Sequence, residues 1–226
     1  TIKVTTIDQL ETISAANFDH RLNGLVLDLE ITGFSSDEYI ERINRGVEKF
    51  YLDAKARNFK VALAMYGDLF YRKRPYDLKV LNNYSDEIMI MAYDFNKSYG
   101  EPGPNYPYED FKKMVGEYLE YITPQKITVI FGMYGYDWTM SDGKPLSPAS
   151  VLTLAQIKSR FLNKCQETDC NVSASEISKE KSVQYKDAEG FAHIIHFEDR
   201  ESADKKIEYL RSQGIGSIAY WAWGYY

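Results

Sequence analysis

The hydrophobic pattern of the chain runs on two periods. From 23 to 31 the sequence Asn-Gly-Leu-Val-Leu-Asp-Leu-Glu-Ile alternates, which predicts a strand with Leu25, Leu27, Leu29 and Ile31 on one face and Val26, Asp28 and Glu30 on the other. Two carboxylates therefore share a face near the strand's C-terminal end. Upstream, Thr6-Ile7-Asp8-Gln9 has capping-box spacing, and Ile7, Leu10 and Ile13 recur at helical period, so a short helix is expected before that strand. Downstream, Ser35-Ser36-Asp37-Glu38 opens a helix whose apolar face is Ile40, Ile43, Val47, Phe50, Tyr51 and Ala54 and which ends near Asn58. Lys60–Tyr66 and residues 87–95 read as further strands, separated by a polar, aromatic-rich loop. Residues 108–122 read as a helix burying Phe111, Met114, Val115, Tyr118 and Leu119 and stopped by Pro124, with residues 126–133 as the next strand. Residues 132–138 then leave the sheet with aromatics at their tip.

The rhythm breaks here. Ser147-Pro148 predicts the opening of a helix carrying Val151, Leu152, Ala155 and Phe161. The short runs 183–185 and 193–197, joined by Lys186-Asp187-Ala188-Glu189-Gly190, predict a β-hairpin. Residues 138–201 are thus expected as a small α+β insertion, between an α/β part at 1–137 and a closing helix and strand at 202–226. That makes five strands of parallel type, with strand–helix–strand connections expected to be right-handed.

Composition narrows the function. A chain of 226 residues, 44% hydrophobic and 27% charged, buries a sizeable core as one large domain or a domain with an insertion. A net charge of −6 with no Lys/Arg run argues against a nucleic-acid surface and for a neutral or weakly charged substrate. Nineteen tyrosines and three tryptophans are what carbohydrate-stacking surfaces use and also what many tyrosine-rich folds simply contain. No stretch approaches the roughly 20 apolar residues of a membrane span, and no basic-then-apolar leader is present. Because the sequence starts at Thr1, a processed or trimmed product is expected. Cys165 and Cys170 either close a small loop in an oxidising compartment or stay as thiols, and with no matching His/Cys cluster no zinc site is expected. His193 and His196 fall on opposite faces of a strand, which suits structural roles better than a metal pair.

Four motifs in order resemble glycoside hydrolase family 18, the chitinase-like enzymes. Residues 23–30 keep the glycine and the last two acids of the family's fourth-strand motif D-G-x-D-x-D-x-E. Met91-Ala92-Tyr93-Asp94 is its sixth-strand motif M-x-Y-D, Tyr134 matches the seventh-strand aromatic, and Trp221 matches the final-strand tryptophan, with Trp223 competing for the same place. The run Tyr185-Lys186-Asp187-Ala188-Glu189-Gly190-Phe191-Ala192-His193, with Phe197-Glu198-Asp199 and Ser202, resembles the insertion of the spore-cortex-lytic branch, whose substrates are peptidoglycan-type glycans. The sequence departs from the pattern twice. Asn23 and Val26 replace the first two acids of the fourth-strand motif, and the family's first three strands are absent.

The resemblance implies an α/β (β/α)8 barrel with a small α+β insertion, of which this chain holds strands 4 to 8; either an upstream segment of the same protein or a cleaved N-terminal piece is expected to complete it, the remaining alternative being an unusual barrel. It also implies a glycoside hydrolase that cleaves β-1,4-linked N-acetylglucosamine-containing glycans of chitin or peptidoglycan type, by a retaining mechanism in which the substrate's acetamido oxygen attacks the anomeric carbon. Glu30 would be the acid and then the base, Asp28 would orient the acetamido group, and Tyr93 would donate to its oxygen. Asp94, Met91 and Tyr134 would shape the sugar site, Trp221 would floor it, and Asp137 and Trp138 are candidates to line a subsite. No cofactor or metal is implied, and the expected location is extracellular or at the cell surface, including a bacterial spore or cell wall. The rival expectation is a catalytically silent carbohydrate-binding protein. A third is an endoglycosidase acting on N-linked glycans.

Overall fold

The computed structural model describes residues 1–33, 35–165 and 170–225 and shows a mixed α/β chain with a parallel sheet. Strand β1 (Ile2–Val4) leads into helix α1 (Ile7–Thr12), where the Thr6 hydroxyl accepts from the Gln9 amide and the Gln9 carboxamide takes the Thr6 amide in return. This is the reciprocal cap that the sequence predicts. β2 (Gly24–Leu29) alternates as expected, with Leu25, Leu27 and Leu29 buried and Ile31 buried just beyond. Helix α2 (Asp37–Ala56) starts on the Ser36 hydroxyl, which accepts from the Tyr39 amide, and buries Ile43, Val47, Phe50 and Ala54. The chain turns at Asn58, which takes a φ of 63°, and enters β3 (Lys60–Tyr66).

Helix α3 (Leu78–Asn83) occupies part of the stretch expected as loop. Its six residues are too few to show a helical period, but Leu78 and Leu81 bury one turn and Asp77 caps it. β4 (Glu87–Ala92) ends earlier than expected, because Asp94 takes a φ of 60° that no strand accommodates. α4 (Tyr108–Leu119) and β5 (Ile127–Gly132) follow the predicted order.

β6 (Tyr134–Ser141) and β7 (Lys144–Thr153) correct the sequence reading, which expected an aromatic tip and then a helix from Ser147-Pro148. The Asp142-Gly143 turn, with φ values of 51° and 76°, folds β7 antiparallel onto β6, and Asp-Gly between apolar runs is a strong hairpin signal. Pro148 sits where the register slips between Asp137 and Thr139, so it withholds no ladder donor from a regular pair. Helix α5 (Leu154–Ile157) begins only after a Thr153–Gln156 capping box and runs into a π-helical turn at Lys158–Leu162. β8 (Cys170–Ala174) was not expected, whereas β9 (Lys181–Lys186) and β10 (Ala192–Phe197) form the expected hairpin. α6 (Arg200–Ser212) is capped by Asp199, and β11 (Ser217–Trp221) is the last strand. Cys165 and Cys170 are joined by a disulfide. Among the described residues no helix is long and apolar enough to cross a membrane.

The parallel sheet has six strands in the order β1-β2-β3-β4-β5-β11, one more than the five expected, because β1 is too short to announce itself by period. The chain divides into two compact units. The first comprises Thr1–Met91, Lys113–Val129 and Gly214–Ser217. In it, β1, β2, β3 and β4 pair in parallel, with Asp28 opposite Lys3 on one side and Ala64 on the other. Gly46 lets α2 lie directly on Leu10, since a Cβ at that position would come within 2.6 Å of the Leu10 side chain.

The second unit comprises Ala92–Lys112, Ile130–Gln213 and Ile218–Tyr226 and contains an antiparallel sheet in the order β7-β6-β10-β9-β8. Its two faces differ in kind. Tyr134, Tyr136 and Trp138 of β6 join Ala149, Met140, Ile194, Tyr93 and Tyr225 in an aromatic cluster. The alternate residues carry Asp137, which faces His193 and Tyr185 of the neighbouring strands.

Candidate active site

In the first unit the strand alternation places Asp28 and Glu30 on one face, and the Glu30 amide donates to the Val4 carbonyl at 2.9 Å, which keeps the residue in line beyond the end of β2. Asp28 Oδ1 is buried with no hydrogen-bond partner. Burial, and next the neighbouring Glu30, push the Asp28 carboxyl above its ordinary range, against the pull of Lys3. Glu30 Oε1 lies 2.6 Å from Lys3 Nζ, and Oε2 accepts from the Tyr66 hydroxyl at 3.4 Å. Tyr66 is pushed up to about 12, first by burial and then by Glu30, so it stays a donor. The Arg74 guanidinium covers its ring at 4.0 Å and is itself held by Asp68, with Nε 2.9 Å from Oδ1. The Tyr76 hydroxyl reaches the Leu29 and Ile31 carbonyls at 2.9 Å each, bracketing the backbone of Glu30. Met91 is buried at the end of β4, where its carbonyl comes so close to Gly67 that a Cβ there would lie 2.6 Å away.

In the second unit Asp94 gathers two tyrosines. Its Oδ1 accepts from the Tyr134 hydroxyl and, at 2.7 Å, from the Tyr136 hydroxyl. Both phenols are pushed well above their ordinary value, first by burial and then by the Asp94 carboxylate, so both remain protonated donors. The Tyr93 ring meets Tyr134 edge-on at 6.2 Å, and a Cβ at Gly132 would lie 2.7 Å from both side chains. Trp138 lies deeper in the cluster, 1% exposed, with its indole N–H donating to the Gly100 carbonyl at 3.1 Å. Trp221 is 53% exposed, and its carbonyl accepts from the Met133 amide at 2.8 Å; the Trp221–Ala222 peptide is cis. Trp223 is 92% exposed. Asp137 stands apart from Trp138 on the opposite face, bonded to His193 Nδ1 at 2.9 Å and to the Tyr185 hydroxyl at 2.7 Å. His196 lies on the Trp138 side, edge-on to that indole.

Sequence reasoning missed Tyr66 and Tyr136. Tyr66 ends the strand after β2, and Tyr136 follows Tyr134 by two on one face, so strand parity alone could have found both. Arg74 and Asp68 carry no such signal. Among the described residues no cluster of three His, Cys, Asp or Glu side chains suits a metal ion. A cavity of about 530 Å³ in the first unit is lined by Asn44, Arg74, Tyr76 and Glu117, and one of about 550 Å³ in the second by Tyr185 and His193; neither includes Asp28, Glu30 or Asp94.

Comparison with known proteins agrees with the motifs. The chain is 29% identical over 151 residues to the cortical fragment-lytic enzyme of Bacillus anthracis, an overlap that covers 66% of this chain and 34% of that enzyme. The chain thus spans about a third of the length of the curated relative it matches. Among solved structures, the spore cortex-lytic enzyme SleL of Bacillus cereus superposes with a TM-score of 0.75 at 22% identity, over 90% of this chain and 46% of that one. A chitinase of Chromobacterium violaceum superposes with a TM-score of 0.72 at 19% identity, over 90% of this chain and 62% of that one. At these identities the likeness is one of fold. The sequence profile of glycosyl hydrolases family 18 matches residues 7–225, so the resemblance first read from residues 23–30 and 91–94 extends over nearly the whole sequence, and the chain belongs to that family.

Proposed function

We propose that this chain carries the acid/base strand of a (β/α)8-barrel glycoside hydrolase that cleaves β-1,4-linked N-acetylglucosamine-containing glycans, of peptidoglycan or chitin type, outside the cell or at a spore or cell wall. The observation that carries the reading is the Asp28–Glu30 pair: two carboxylates on one strand face, one of them half-buried with an oxygen that has no partner. Burial, and next the Glu30 charge beside it, raises the Asp28 carboxyl above its ordinary range. Glu30 gives a proton to the leaving glycosidic oxygen and then takes one from water, with Tyr66 fixing its rotamer. Asp28 Oδ1 accepts the acetamido N–H of the substrate, aims the acetamido oxygen at the anomeric carbon and stabilises the positive oxazolinium that forms, while Tyr93 donates to that oxygen. Asp94 and Tyr134 bind the sugar's hydroxyls, Met91 contributes to substrate binding, Trp221 offers an exposed ring for stacking, and Trp138 backs the tyrosines from below.

Two observations favour a second reading, a sugar-binding protein without turnover. Asn23 and Val26 stand where the family has acids, so no carboxylate chain lies behind Asp28, and Lys3 holds Glu30 in an ion pair. Turnover of fluorogenic N-acetylglucosamine oligomers by the full-length protein, compared with Glu30→Gln, decides between the two. The hydrolase reading expects a loss of roughly 10²–10⁴-fold in kcat with oligomer binding retained. Absence of turnover in both, with tight oligomer binding in both, establishes the binding protein instead. Loss of binding along with turnover would make Glu30 a structural residue.

A further inference from the structure

We propose that Asn105 is the positioning residue of Asp94, and that Glu180 and Lys206 hold Asn105 in place; the proposal rests on the sugar-binding role given to Asp94 above. Asp94 takes a φ of 60°, a conformation that non-glycine residues adopt rarely, so something outside the residue must hold it. The Asn105 side chain does this. Its Oδ1 accepts from the Asp94 amide at 2.8 Å, its Nδ2 donates to the Gly132 carbonyl at 2.9 Å, and its own carbonyl accepts from the Phe95 amide at 2.8 Å. One carboxamide thereby ties the turn at Asp94 to the strand end that precedes Tyr134.

Asn105 is fully buried and is anchored in turn from far along the chain. Glu180 Oε2 accepts from the Asn105 amide at 2.6 Å, and Oε1 accepts from the Tyr106 amide at 2.7 Å. Lys206 of α6, 0% exposed, donates to Glu180 Oε1 at 2.8 Å and to Glu198. Burial alone would lower the Lys206 ammonium, but the two carboxylates outweigh it and keep it charged. A buried ion group spends desolvation energy, which apolar side chains of similar size would avoid. Here it fixes two successive backbone amides in the loop that returns to Asp94. The line of force runs from α6 through Glu180 and Asn105 to Asp94, and ends on the Tyr134 and Tyr136 hydroxyls.

The test is tyrosine-ring carbon NMR on the full-length protein, with substitutions that remove the link. Asn105→Ala is expected to move the resonances of Tyr134 and Tyr136 in the direction that Asp94→Ala moves them, while Tyr84, whose hydroxyl donates to Glu48 in the first unit, stays in place. In kinetics on N-acetylglucosamine oligomers, Asn105→Ala is expected to cut kcat/KM by on the order of 10–100-fold. Added to Asp94→Ala it should cost under about 2-fold more, because the two act through one group. If Asn105→Ala fails to fold, Glu180→Gln, which keeps the side-chain shape, is expected to shift the same two resonances less. Unmoved tyrosine signals in a folded variant, or equal fold losses with and without Asp94, would overturn the proposal. The resonances need no turnover, so an inactive wild-type protein would refute the proposed function and leave the positioning to be decided by NMR.

Discussion

The carboxylates of the two units are placed by different physics. Asp28 and Glu30 sit two residues apart on a regular strand, and the period of two aims them together; their nearest charged neighbour, Lys3, is 58% exposed. Asp94 sits past the end of its strand in a strained turn, and its partners lie 11, 40 and 42 residues away, backed by an ion group buried further along still. Two acids can be aimed the same way by three consecutive residues of a strand. A single acid held in an unusual conformation needs a scaffold gathered from much of a unit.

That contrast is open to attack at its strongest point. Lys206→Ala removes the cation that, among the described residues, pairs with Glu180 and Glu198, and leaves the buried Glu180 carboxylate without its counter-charge beside a Glu198 that burial has pushed up to about 8. It is expected to cost about 3–5 kcal/mol in urea unfolding followed by tryptophan fluorescence. Lys3→Ala removes the cation paired with Glu30 in the other unit, and because that lysine is largely exposed, the expected cost is about 0.2–1 kcal/mol. Equal costs for the two lysines would erase the distinction drawn here. The smallest effect is one of pH. The folded-state pKa of Asp28 is raised above its ordinary value, so the folded chain holds a proton that the unfolded chain has released. Its contribution to stability is complete below the ordinary aspartate range and is lost as pH rises through the shifted value. The wild-type protein should therefore lose stability relative to Asp28→Asn as urea unfolding is repeated from pH 4 upward, and an opposite slope would mean that Lys3 outweighs burial.

The sequence told much more about the first unit than about the second. Alternation at residues 23–31, the Thr6 and Ser36 caps, and the apolar face of α2 all report local physics, and each appears where expected. β1 escaped because three residues carry no period. The helix expected at Ser147-Pro148 was lost to a competing signal, the Asp142-Gly143 turn, whose effect depends on β6 being available as a partner. The Asp94 site is harder still. Met91-Ala92-Tyr93-Asp94 announces the acid, but nothing near it announces Asn105, Glu180 or Lys206, because a buried hydrogen bond across 75 residues has no spacing to read.

The alternation along β6 has a consequence for how this protein can change over generations. Tyr134, Tyr136 and Trp138 point one way and Asp137 the other, so the strand behaves like a reading frame. Deleting codon 135 would turn Tyr136 and Trp138 toward the His193 face and carry the Asp137 carboxylate into the tyrosine cluster. The hairpin ends at Gly143 and Gly190 have open space around them, though their φ values of 76° and 90° keep glycine in place, so length changes meet less resistance there than inside the strand. Descendants of this chain can lengthen their turns more readily, but they can shift this strand only in steps of two.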